Sequence, residues 1–340
     1  MKSPALNRPH DLVRALARMP RAAEVREQKL NSAVYRLHCS TDDTRASFVA
    51  KRFEPGIARR NALVVQRWLP AVGLSDSAPQ LLAVAAEPDG SSVWHVYEDI
   101  GDSRLDPVSG LPVQVGLAVA AIAKIHTRFH SHPLLAECRL WGGDLGISFY
   151  IASVEDAITA LESLCGRRGP LIAERSSLCR RLLGRLMDLR AQAADRAETL
   201  ARVGGPETLL HGDLWPMNVM VVADREPWIR LIDWDHVGRG HVAYDLSTFL
   251  SRFAAMHRMA ILEMYAGEVA RAGWELGSPA ELNEAFATAE LGRIANRVIW
   301  PALAAWEGDS DRSFAALAEV ERWFDELMPV LPVEDACSQS

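Results

Sequence analysis

Cysteine is scarce. The 340 residues hold five, Cys39, Cys138, Cys165, Cys179 and Cys337, an odd number with no C-x-x-C pair. That excludes a disulfide scaffold or a zinc framework and fits reduced thiols in a cytosol. Positive charge is not in excess. The formal net charge of −7 argues against a nucleic-acid-binding surface. No apolar run reaches the ~20 residues of a membrane-spanning helix. Met1-Lys2-Ser3-Pro4 leads into no apolar segment of the kind found in secretory signals. The expectation is a soluble, cytoplasmic chain that meets neither membrane nor nucleic acid. Internal repeats and low-complexity tracts are missing too. Core material is ample, with 49% apolar and 24% charged residues, which excludes a disordered chain. The length suits one large or two modest domains.

The residues that carry chemistry lie close together. His211-Gly212-Asp213-Leu214-Trp215-Pro216-Met217-Asn218 follows apolar Thr208-Leu209-Leu210, and Leu231-Ile232-Asp233-Trp234-Asp235 follows in turn, with Asp233 fifteen residues after Asn218. Between the two blocks, 219–222 read as a strand, 223–227 as a turn and 228–232 as a return strand. The hairpin is expected to fold Asp213, Asn218 and Asp233 towards one point. One base and two oxygen ligands on a bent loop are what phosphoryl transfer from a nucleotide–Mg²⁺ complex requires. A lone Asp in a loop is usually a cap or turn residue. Here three such groups occur in order on one hairpin.

The spacing matches H-x-D-L-x-x-x-N of the protein-kinase catalytic loop, whose Asp takes the proton of the substrate hydroxyl and whose Asn holds Mg²⁺. Gly212 stands where protein kinases carry Arg, and Ile-Asp-Trp-Asp stands in place of Asp-Phe-Gly. In both respects the chain resembles the aminoglycoside phosphotransferase/choline kinase family of small-molecule kinases, over roughly residues 25 to 325. The resemblance implies an α+β, protein-kinase-like two-lobed fold. A small β-rich, nucleotide-binding N-lobe spans 1–100 and ends in a hinge. A larger, mainly helical C-lobe for catalysis and substrate spans 101–340. Asp213 is expected as the catalytic base, and Asn218 and Asp233 as Mg²⁺ ligands. Asp235 is expected either behind these or facing the substrate, and His211 as a brace for the loop.

The N-terminal third is strand-rich. Strands are expected over 25–30 and 33–39, with Asn31-Ser32 between them. In the resembled family this β-turn-β lies over the nucleotide phosphates. The turn has no glycine, so backbone N–H groups and the Ser32 hydroxyl are the candidate phosphate contacts. Ser47-Phe48-Val49-Ala50-Lys51-Arg52-Phe53 alternates like a strand. Lys51 falls where the family's strand lysine pairs with the α/β-phosphates, and Arg52 is expected on the opposite face. The family places a Glu on the next helix to pair with that lysine. The helix expected over 57–69 has no acidic residue; Asn61 stands near the glutamate's place, and Glu54 precedes the helix. Further strands are expected over 79–86 and 92–101. The second ends in a segment resembling the hinge, where the Glu98 carbonyl and the Ile100 amide would meet adenine.

Beyond residue 101 the period shifts from 2 to 3.6. His126, at the end of the first long helix, reads as a buried support for the catalytic loop. Leu182, Leu183, Leu186, Met187 and Leu189 make an apolar helix face opposite Arg180, Arg181, Arg185 and Arg190. Val242-Ala243-Tyr244-Asp245-Leu246-Ser247 resembles the family segment whose Asp contacts the catalytic-loop backbone, which implies a structural role for Asp245. Residues 251–340 carry seven arginines against fifteen carboxylates, a net −8. An acidic wall there would favour a cationic acceptor; a solvated helix face explains the same count. Glu307, Asp309 and Asp311 are the candidate substrate contacts.

The expected reaction is transfer of the γ-phosphate of ATP or GTP, with Mg²⁺, to a hydroxyl of a small molecule. An aminoglycoside or another antibiotic is one acceptor class; choline or ethanolamine, sugars and amino-acid alcohols are others. A non-catalytic nucleotide-binding pseudokinase is the alternative, supported by the missing helix Glu. A monomer or homodimer fits either case.

Overall fold

The structure is a computed structural model that describes residues 8–18, 24–41, 45–108, 112–166, 172–223, 227–308 and 310–332. Helix α1 (Arg8–Leu16) precedes strands β1 (Glu24–Lys29), β2 (Val34–Ser40) and β3 (Arg45–Phe53). Helix α2 (Pro55–Leu63) runs through a π turn at Val64–Trp68 into the short α3 (Leu69–Ala71). Strands β4 (Leu81–Ala86) and β5 (Val93–Glu98) follow. Then come α4 (Pro112–Phe129), α5 (Leu135–Trp141), α6 (Ile147–Cys165), α7 (Ala173–Ala191) and α8 (Ala193–Val203). Four short strands come next, β6 (Glu207–Leu210), β7 (Val219–Val222), β8 (Trp228–Leu231) and β9 (Gly238–His241). Helices α9 (Ala243–Leu250), α10 (Ala255–Ala270), α11 (Pro279–Glu307) and α12 (Ser310–Asp325) complete the order. Among the described residues no helix is long and apolar enough to cross a membrane.

The chain packs as two compact units, Met1–Arg128 with Trp215–Val237, and Phe129–Leu214 with Gly238–Ser340. The units interleave along the chain, so their borders differ from the 1–100 and 101–340 division expected from the sequence.

In the first unit the sheet order is β1-β2-β3-β5-β4, with antiparallel neighbours throughout. Alternation sorts its side chains onto two faces. Leu37, Cys39, Phe48, Ala50, Trp94 and Val96 are buried on one face, where α1 packs Val13 against them. Lys51 lies on the other, directly opposite Val34 on β2 and His95 on β5. The glycine-free turn between β1 and β2 is closed by the Asn31 side chain, which accepts from Ala33 N–H at 2.8 Å. Helix α2 starts two residues earlier than expected, because Pro55 suits the first helical position. The expected second hairpin forms, β7 pairing antiparallel with β8; residues 224–226 of its turn lie outside the described residues.

The second unit is built on α6 and α11, whose apolar faces share one core with α7 and α12. Leu182, Leu186 and Leu189 of α7 are buried there. The opposite face of α7 meets acids of α12, Arg181 pairing with Glu321 and Arg185 with Asp325. Strands β6 and β9 pair antiparallel. Gly238 of β9 is required by close packing, since a Cβ there would come within 2.8 Å of the Gly143 carbonyl.

Candidate active site

Lys51 is the centre of the first unit's polar cluster. Its Nζ lies 2.5 Å from Asp233 Oδ1 and 3.0 Å from Asp235 Oδ2, and rides over the Phe53 ring at 4.5 Å. Asp235 is the more sheltered acid. Its Oδ1 accepts from Asn61 Nδ2 at 3.0 Å, and its backbone carbonyl accepts from Arg60 Nη1 at 2.6 Å. Burial pushes the Asp235 carboxyl up, the Asp233 charge adds to this, and Lys51 and Asn61 oppose it. So the lysine that lacks a helix glutamate has two aspartates, and Asn61 touches one of them. Arg52, next along the strand, turns away and donates to Ser92 Oγ. Beside Lys51, His95 is pushed down to about 4 by burial and by the lysine's charge; its Nδ1 is 2.9 Å from the Tyr97 hydroxyl.

The hairpin sets Asn218 and Asp233 at its two open ends. Val219 pairs with Leu231, and Ile232 N–H donates to the Asn218 carbonyl at 2.9 Å. Asn218 ends a single 3₁₀ turn begun by Pro216, and Asp233 adopts the left-handed conformation (φ 69°, ψ 56°). Asp is among the few residues that enter this region at modest cost. An amide oxygen and a carboxylate are hard donors. A protein supplying few ligands and leaving the rest to water and phosphate is the usual Mg²⁺ arrangement, so these residues fit that ion.

His211, Gly212 and Asp213 belong to the second unit and follow β6. The fully buried Asp245, in the first turn of α9, accepts from His211 N–H at 2.7 Å and from Gly212 N–H at 2.9 Å. Two amides and a helix N-terminus stabilise that buried charge. Gly212 has φ 82°, a conformation the arginine of protein kinases would resist. The turn brings Asp213 N–H within 3.4 Å of His211 Nδ1, leaving that nitrogen as acceptor. Arg252, lowered by burial, is held charged by Glu290 and Asp213. His126 is buried in α4 of the first unit.

Where the hinge is expected, Glu98 ends β5 and Ile100 lies two residues on. The Glu98 carboxylate accepts from Gln80 N–H at 2.6 Å and is paired with Arg230 of β8. Arg36 of β2 spans Asp99, Asp102 and the Gly101 carbonyl, at 2.7 Å from each Asp102 oxygen. The Asp102 bond is the largest influence raising the Arg36 pKa. Burial pushes Asp99 up, but bonds from Ser47, Gly101 N–H and Arg36 outweigh it and hold the carboxyl low. Sequence reading passed over Arg36 and Arg230, whose partners lie 63–66 and 132 residues away and leave no periodic signal.

The remaining candidates stand apart from these clusters. Ser32 is exposed in its turn and lines a cavity of about 350 Å³ with Tyr35, Ala50, Arg52 and Trp94, on the sheet face away from Lys51. Glu307 is exposed at the end of α11, Asp311 pairs with Arg175, and Asp309 lies outside the described residues. The acidic terminal region is largely compensated. Nine of its carboxylates, among them Glu281, Glu290, Asp311 and Glu321, lie within 4.0 Å of an arginine. The net −8 is therefore a poor measure of the field there.

Residues 24–282 match the phosphotransferase enzyme family. The chain belongs to that family. The chain is therefore a small-molecule phosphotransferase. Among curated proteins no sequence matches it significantly. Solved structures do resemble it. The spectinomycin phosphotransferase APH(9)-Ia, in complex with ADP and spectinomycin, is 13% identical at TM-score 0.59, covering 93% of this chain and 97% of that one. Plasmodium vivax ethanolamine kinase is 13% identical at TM-score 0.57, covering 91% and 84%. Streptomyces rimosus APH(3'')-Id, with ADP and streptomycin, is 16% identical at TM-score 0.53, covering 88% and 100%. At these identities the likeness shows a shared fold, the α+β, protein-kinase-like one.

Proposed function

We propose that this phosphotransferase moves the γ-phosphate of ATP or GTP onto a hydroxyl of a small molecule. The observation that carries the reading is the junction of Lys51 with the hairpin acids Asp233 and Asp235. It supplies a cation for phosphate beside oxygen donors for a metal. In this reading residues 1–100 serve the nucleotide and 101–340 catalysis and the acceptor. Lys51 meets the α/β-phosphates, with the amides of the β1–β2 turn as further phosphate contacts, and the Glu98 carbonyl and Ile100 amide receive adenine; Ser32, on the sheet face away from Lys51, leaves the set of phosphate contacts. Asn218 and Asp233 would hold Mg²⁺, which would supply positive charge against the phosphates as they react.

Asp213 accepts the proton of the acceptor hydroxyl as its oxygen attacks the γ-phosphorus. The bond to the β,γ-bridging oxygen breaks, and the nucleoside diphosphate leaves with that electron pair. Asp245 and His211 hold the loop, and His126 supports it. Asp235, Glu307, Asp309 and Asp311 remain the acceptor-side candidates. Because most terminal acids have arginine partners, the acceptor class is left as small-molecule alcohols, without a preference for cations. Antibiotics, choline or ethanolamine, sugars and amino-acid alcohols are the panel to screen. Free Cys39, Cys138, Cys165 and Cys179 suit a cytoplasmic setting.

The test is phosphate incorporation across that panel, read by mass spectrometry, with Mg²⁺ and either nucleotide. An Asp213→Asn control accompanies it. Acceptors gaining one phosphoryl group with wild type and not with the variant support the proposal. Nucleotide binding with equal background in both proteins favours the non-catalytic alternative.

A further inference from the structure

In the resembled kinases a glutamate on the helix after the lysine strand pairs with the lysine. The equivalent helix here, α2, reads Pro-Gly-Ile-Ala-Arg-Arg-Asn-Ala-Leu, with no acid. A lysine ammonium on its flexible stem needs such a partner to stay in one place. Here the carboxylate arrives from the segment just beyond β8. Both Asp235 oxygens lie within 3.1 Å of Lys51 Nζ. Asn61 donates to Asp235 at 3.0 Å and also to the Ile57 carbonyl of its own helix at 3.1 Å. Asn61 is 4% exposed, so this amide is fixed by its helix while it holds the acid. Arg60, one residue earlier, holds the Asp235 backbone.

We infer that Asp235 and Asn61 together replace the helix glutamate, Asp235 acting as a positioning residue for Lys51 and Asn61 fixing Asp235. This rests on the phosphotransfer reading above, because the aim of Lys51 matters only if it meets phosphate. The residue types follow from the charges. An acid at 61 would crowd a third carboxylate against Asp233 and Asp235 in a half-buried place, where like charges oppose ionisation. An asparagine supplies the donor that Asp235 needs and adds no charge. Two acids on one lysine also divide the work, since Lys51 keeps Asp235 as partner when Asp233 is committed elsewhere. Asp235 therefore leaves the set of acceptor contacts.

The test uses four proteins: wild type, Asp235→Asn, Asn61→Asp, and the exchange Asn61→Asp/Asp235→Asn. The exchange conserves volume and moves the negative charge across one hydrogen bond. Mg²⁺-dependent ADP release from ATP with water as acceptor, MgATP affinity by calorimetry and the melting temperature are read for each. Asp235→Asn is expected to stay folded and to lose about 10²-fold in rate, the scale of a misplaced catalytic group. Asn61→Asp alone is expected to lose rate too. The exchange is expected to recover about tenfold over Asp235→Asn, because coupled neighbours are non-additive. A purely structural role shifts melting and gives no such recovery. A wild-type rate in Asp235→Asn, or an exchange that is folded yet no faster than Asp235→Asn, overturns the inference. Failure of the underlying reading looks different: wild type then neither binds MgATP nor releases ADP, and the inference falls with it.

Discussion

The two polar clusters, one in each unit, are held in opposite ways. Around Lys51, charged side chains 182 and 184 residues apart in sequence meet directly, and the acids are partly open to solvent. Around Asp213, a single buried aspartate, Asp245, grips the backbone amides of His211 and Gly212. Side-chain ion pairs can exchange partners when phosphate and metal arrive. Backbone bonds to a buried acceptor cannot be given up without exposing unpaired amides. The lysine side is therefore suited to rearrange on binding, and the loop that presents Asp213 to stay fixed.

The largest expected effect breaks chemistry and spares structure. Asp213→Asn should lower the transfer rate by ~10²- to 10⁴-fold, the usual value of general-base help, with an unchanged melting temperature. A variant as fast as wild type removes Asp213 from its role. Asp245→Ala should do the reverse and act first on stability. Two buried amides lose their acceptor, a loss of about 2–5 kcal/mol in urea unfolding. If the loss is only a few tenths, the loop is not braced as described.

The lysine side should show itself through pH. His95, held neutral down to about pH 4, gains a proton in the unfolded chain already below its ordinary value of 6.5. The unfolded state binds more protons within that window. Stability should therefore be level above about pH 6.5 and fall towards pH 4, by roughly 3 kcal/mol at most. His95→Gln should flatten the fall, and an identical pH dependence in the variant rules this source out. The smallest effect sharpens the contrast on the loop side. Gly212→Ala, at φ 82°, should cost about 1–2 kcal/mol and slow transfer by displacing Asp213; a neutral outcome in both would mean the turn tolerates other backbones.

Much of this was legible from local pattern. Alternation marked β2, β3 and β5, and a hydrophobic strand ending at Lys51 singled out that lysine. The spacing from His211 to Asp233 located the hairpin, because its strands are adjacent in sequence. Contacts between distant residues were not legible. Nothing near Asn61 announces Asp235, and nothing near Arg36 announces Asp99 and Asp102, since a pair made across the fold obeys no sequence period. The charge count over the terminal region left two readings open for the same reason: the counter-charges of its acids include Arg175, Arg181, Arg185 and Arg202, on α7 and α8, outside the window in which the charge was counted.

The most direct measurement is a calorimetric titration of ATP into wild type and Asp233→Asn, each with and without Mg²⁺. The account predicts that Mg²⁺ tightens ATP binding to wild type and that the variant loses most of this enhancement while staying folded. Equal enhancement in both proteins would contradict it, because the metal-bound phosphates would then be held by something other than the Lys51 and hairpin cluster.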